Sequence, residues 1–136
     1  MRKNIAKIIC DSKYITIVYH YETKIVHHTI HKTVPGPILT AATDAGTEAL
    51  RKYGATKWLS DDRKNTQLSQ EALEYALTDW GARTVKAGWK YWALVVPEEM
   101  TGRMDMVRLV EFCYNMGVRV MVFSDLQKAE AWLRSL

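Results

Sequence analysis

The chain has 136 residues, 48% of them apolar and 25% charged, with a net charge of +4. That is the make-up of one globular domain, long enough to bury about two-thirds of its unfolded surface. No apolar run approaches the roughly 18 residues of a membrane helix. The basic opening "MRKNIAKIICDSKYITIVYH" lacks the apolar stretch and cleavage site of a signal peptide, so a cytoplasmic protein that does not span a membrane is expected.

Residues 1–64 hold 11 Lys/Arg against 6 Asp/Glu, and residues 65–136 hold 8 against 9. The basic excess is scattered, with no Lys/Arg run longer than two. It permits an anionic partner without demanding one, and it lacks the basic stripe with exposed aromatics that nucleic-acid binding needs. The two cysteines, Cys10 and Cys113, stand in no CxxC pair and are expected as buried free thiols.

A short strand is expected over Ile5–Cys10. "YITIVYH" then alternates with period two, placing Ile15, Ile17 and Tyr19 on one face and Thr16 and Val18 on the other. "KIVHHTIHKT" follows after Glu22-Thr23 as the second arm of a hairpin. In that strand His27 and His31 share a face about 13 Å apart, too far for a common zinc ion. His28 points the other way and is expected to be half buried.

"VPGP" ends the strands, and a helix follows with Ile38, Ala42, Ala45, Ala49, Leu50 and Tyr53 on its apolar side and Gly54 at its C-cap. "ATKWLS" is a strand. "SQEALEYALTDWGARTVKAG" predicts a long helix with Ser69 as N-cap, Leu68 and Leu73 as a hydrophobic staple and Gly88 as its stop. "YWALVVP", apolar on both faces, reads as a central parallel strand. A helix over Arg103–Met116, the strand "VRVMVF" and a final helix capped by Ser124 and Gln127 complete the chain.

The order β-β-β-α-β-α-β-α-β-α predicts one α/β domain over residues 1–136. Its mixed sheet starts with an antiparallel hairpin and continues in right-handed βα units. Of the five tryptophans, at least Trp58, Trp80, Trp92 and Trp132 are assigned to the core, and Trp89 is the one most free to be exposed.

"KWLSDDR", "AGWKYWALVVPEE" and "VRVMVFSDLQKAEAWLRSL" resemble the SpoIIAA-like, or STAS/SEC14-like, small bacterial proteins over roughly residues 50–136. The resemblance implies the mixed α/β fold and a regulatory or ligand-binding role, with a regulatory protein or a small lipid-like ligand as partner and a homodimer as a further option. The phosphorylatable Asp-Ser/Thr-Ser-Gly loop of the anti-sigma-factor antagonists is missing here. In the corresponding loop Ser60 precedes the carboxylates, which leaves it a weak candidate for phosphorylation.

Open α/β sheets bind ligands at the carboxyl ends of their parallel strands. The expected site is therefore the rim made by Ser60, Asp61, Asp62, Arg63 and Lys64, by Glu98–Gly102, and by Ser124 and Asp125. Met100, Met104 and Met106 around Gly102 are the pliable apolar residues of a lid over a cavity, or plugs for the core. The expected role is non-catalytic binding of a partner protein or a small apolar or anionic ligand, with no cofactor and no metal. The competing class is an enzyme holding a divalent cation with Asp61, Asp62 and Glu98. Motifs of nucleophilic catalysis and phosphate loops do not occur.

Overall fold

A computed structural model describes residues 6–65, 77–100 and 104–136, the side chains of 104–106 excepted. The expected Ser69 cap, the Leu68–Leu73 staple and the Gly102 hinge lie outside the described residues. So do the side chains of Met104 and Met106.

Six strands form one sheet in chain order: β1 (Ala6–Asp11), β2 (Ile15–His20), β3 (Ile25–Ile30), β4 (Lys57–Asp61), β5 (Tyr91–Val95) and β6 (Arg119–Phe123). The first three are antiparallel, and β3 to β6 run parallel. The β2–β3 connection is a four-residue loop, not a two-residue turn. The Lys24 amide donates to the His20 carbonyl at 2.8 Å, and Lys24 turns left-handed at φ 58°.

Helix α1 (Gly36–Tyr53) joins β3 to β4. A π-helical turn over Leu77–Gly81 leads into the short α2 (Ala82–Lys86) before β5. Helix α3 (Met104–Met116) precedes β6, and α4 (Leu126–Arg134) follows it.

Each of the three parallel crossovers steps one strand in the same direction. A right-handed connection then delivers every crossover helix to the same face. On that face lies the larger core, with Ile15, Ile17, Tyr19, Val26, Trp58 and Trp92 of the sheet among its buried residues. Helix α4 is not a crossover and folds back under the opposite face. There Ala129 and Leu133 bury Ile25, Leu59, Ala93 and Val95. Strand β5 is covered on both sides, as its continuous apolar run predicts.

The α1 stripe is rotated from expectation. Ile38 is exposed and Leu39 packs inward, while Gly46 and Thr47 join Ala42, Ala49 and Leu50 in the buried face. Gly46 is there because of Trp58: a Cβ at residue 46 would lie 2.3 Å from Cη2 of that indole. Trp58 in turn meets the Trp80 ring edge-on at 5.2 Å and Trp89 at 6.4 Å. Trp89 continues the cluster to Trp92 at 5.4 Å.

Trp89, the tryptophan left most free to be exposed, is therefore buried at 1% exposure. Its loop between α2 and β5 tucks inward, and its Nε1 is a buried donor without a partner among the described residues. Gly54 takes the expected left-handed cap of α1, and Gly88 after α2 also has positive φ.

Candidate functional site

Strands β4, β5 and β6 end in register, with Asp61 beside Val95 and Val95 beside Phe123. Their exits stay joined: the Asp62 amide donates to Val95 O at 2.8 Å and the Val96 amide to Phe123 O at 2.9 Å. The loops carrying Ser60–Lys64, Glu98–Met100 and Ser124–Asp125 thus leave the sheet along one edge, as a parallel arrangement requires.

Alternation along β4 divides the rim between the two faces. Ser60 and Asp62 belong to the helix-covered face and Asp61 to the α4 side. On the first face β3 pairs His28 with Ser60, one step from Val26 beside Trp58. The Trp58 indole N–H donates to His28 Nδ1 at 3.0 Å, and His28 Nε2 lies 2.7 Å from Asp62 Oδ1. An indole nitrogen only donates. Nδ1 of His28 is therefore the acceptor, and Nε2 carries the proton that goes to the Asp62 carboxylate.

The Trp92 indole donates to Ser60 Oγ at 2.8 Å, and that oxygen stands 3.5 Å from His28 Nδ1, at the limit of hydrogen bonding. All five residues are buried. Ser60, His28 and Asp62 form a chain of serine, imidazole and carboxylate. It differs from a nucleophilic triad in its wiring, because two tryptophans hold the acceptor sites that a nucleophile and its base would use. Its effect is to satisfy every polar group placed under the rim.

On the opposite face Arg63 grips Asp61 with two hydrogen bonds, Nε to Oδ1 at 2.8 Å and Nη2 to Oδ2 at 2.7 Å. Burial pulls the Asp61 carboxyl upward, but the Arg63 hydrogen bonds and charge outweigh it, and the carboxyl lies below its ordinary range. Asp125 adds its charge to the surroundings of the same guanidinium. Arg63 remains 44% exposed at its side chain while the Asp61 side chain is 9% exposed, so a buried carboxylate holds a cation that reaches the surface.

Asp61 and Asp62 consequently diverge, each with its own partner. Among the described residues no group of three or more His, Cys, Asp or Glu is placed to hold a metal ion. Glu98 and Glu99 are exposed in a 3₁₀ turn over Glu98–Met100. Met100 is partly buried and packs against the larger core, which is the plugging role.

Ser124 is exposed and does not cap the last helix. Asp125 does so, its Oδ1 accepting from the amides of Gln127 at 2.8 Å and Lys128 at 3.2 Å. The helix begins one residue later than the Ser124 cap requires, and a carboxylate is favoured at the positive helix end.

Histidines 27 and 31 share a face and have separate partners. His27 meets His20 at 3.2 Å and His31 meets the Thr16 hydroxyl at 2.8 Å. Burial, with the His20 and His28 charges, pushes the His27 imidazole down to about 4. Cys113 is buried and its thiol is pushed up to about 12 by that burial. Cys10 is only half buried, unlike the expectation.

The residues that sequence reasoning missed are His28, Trp58 and Trp92 as members of the rim. Their signal was parity: His28, Trp58, Ser60 and Trp92 share one face only once β3, β4 and β5 are known to be parallel and in this register. No known family, curated protein or solved structure matches the chain.

Proposed function

We propose that this chain is a non-catalytic regulatory domain that binds a partner protein at the carboxyl rim of its parallel strands. The observation that carries the reading is the Asp61–Arg63 clamp beside Asp125. Fixed charges of alternating sign at a surface edge select a partner's orientation more than they add raw affinity. The buried network of His28, Asp62, Ser60, Trp58 and Trp92 serves this role by anchoring the loop from which Arg63 projects.

The resemblance of "KWLSDDR" and its neighbours to STAS-type proteins supports a regulatory role on the same edge. A small apolar or anionic ligand is the other occupant consistent with that resemblance. Met100 packed into the core supports it less than the exposed charge pattern supports a protein.

Site-specific photo-crosslinking in cells tests the reading. A crosslinker at Lys64 or Ser124 is expected to give one discrete adduct that Arg63→Glu abolishes, while a crosslinker at Tyr114 on α3 gives none. Adducts that are equally frequent from all three positions, or that survive Arg63→Glu, would overturn it.

A further inference from the structure

The edge opposite the rim has its own chemistry. Parallel register brings the amino ends of β3 to β6 together, and each start carries a cation: Lys24 before β3, Lys57 in β4, Lys90 before β5 and Arg119 in β6. Helices α1 and α4 run back to this edge and end in basic residues, Lys52 and Arg134 among them. The carboxyl rim mixes its signs instead, with Asp61, Asp62, Glu98, Glu99 and Asp125 beside Arg63 and Lys64. Among the described residues the amino edge is therefore the more uniformly basic of the two.

A cavity of about 410 Å³ opens in the basic edge, between the β2–β3 loop, the α1–β4 loop and the end of α4. Lys24, Lys57 and Arg134 line it, with the hydroxyl-bearing Thr23 and Thr56, and Glu22 is its one acidic residue. Lys57 Nζ donates to the Leu136 carbonyl at 3.0 Å. The size falls within the range of small-molecule sites.

We infer that this cavity binds a small phosphate monoester. Three cations of two geometries, Lys point charges and an Arg fork, suit a dianion with several acceptor oxygens better than a single carboxylate. The threonine hydroxyls donate to the remaining oxygens, and the Glu22 carboxylate accepts from a hydroxyl on the ligand's body. This site lies at the far end of the strands from the proposed protein-binding rim and does not depend on it.

A phosphate monoester occurs free or as the headgroup of a lipid. Titrations with sn-glycerol 3-phosphate and with phosphatidylcholine vesicles containing phosphatidic acid are therefore run in parallel. Amide NMR follows the first and vesicle co-sedimentation the second. The expected result is binding in at least one arm, weakened by salt. In the soluble arm the shifts should centre on Thr23, Lys24, Gly54, Thr56 and Lys57.

Lys24→Asn with Arg134→Gln should weaken binding by about tenfold or more, since each removes a charge-assisted hydrogen bond. Asn tolerates the left-handed backbone at residue 24, and an unchanged amide spectrum elsewhere confirms that the double variant is folded. Arg63→Ala should leave binding as it was. Which arm responds identifies the source of the phosphate. No binding in either arm, binding indifferent to the double variant, or shifts confined to the carboxyl rim would overturn the inference.

Discussion

Asp62 is a buried carboxylate whose described partner is one imidazole N–H. Removing such a partner leaves a buried polar group unmatched, which costs far more than the pair contributes net. Asp62→Ala leaves the neutral His28 Nε2–H unmatched and is expected to destabilise by about 1–3 kcal/mol in urea unfolding, and Asp62→Asn to recover part of that because the amide oxygen still accepts from His28. His27 supplies the pH dependence. Its folded value of about 4 lies below its ordinary 6.5, so the unfolded chain binds the proton first, and stability falls as pH drops from about 6.5 to about 4. Asp61 acts in the adjoining window. Its lowered carboxyl contributes stability at neutral pH that is lost only as pH falls below its ordinary 3.8. His27→Gln should flatten the unfolding midpoint above pH 4 and leave the acid limb below it intact.

At the scale of elements, α1 and β4 are held together by one close approach. Gly46 admits the Trp58 ring, and that ring is backed by Trp80 and Trp89, so it has nowhere to shift. Gly46→Ala, normally favourable inside a helix, is expected here to destabilise by about 1–3 kcal/mol or more, read as a lowered urea midpoint with an unchanged slope. The sequence made the elements and their order readable because periods of 2.0 and 3.6 are local properties. What periodicity leaves open is the rotation of a helix against its sheet and the pairing of one strand's face with the next. Ile38 and Leu39 differ by one step around α1, and only the position of the sheet decides which is buried. The same step separated Ser124 from Asp125 as the cap. The burial of Trp89 is left open because a loop has no period to read. The rim's existence was legible, since parallel strands must share their exits; the divergence of Asp61 and Asp62 to opposite faces follows from strand alternation and needed only the boundary of β4.

For the whole molecule, two cores of unequal size sit on either side of one sheet. Among the described residues the larger is enclosed by α1, α2 and α3, whereas α4 covers the smaller. Ending the chain at residue 125 should leave Ile25, Leu59, Ala93 and Val95 uncovered while every strand remains. The expected outcome is a collapsed, dye-binding species with near-native far-UV dichroism and no cooperative melt. A cooperative melt in that variant would show that the second core is dispensable.

Each strand lies beside its predecessor in sequence, so a chain emerging from the ribosome can extend its sheet by one edge at a time without opening a gap for a later arrival. Synthesis from the amino end then produces partial sheets with a single growing border. The nine-residue α4 acts as the closing plate, since a sheet completed through β6 but not yet covered by it still shows Ile25, Leu59, Ala93 and Val95 on its underside.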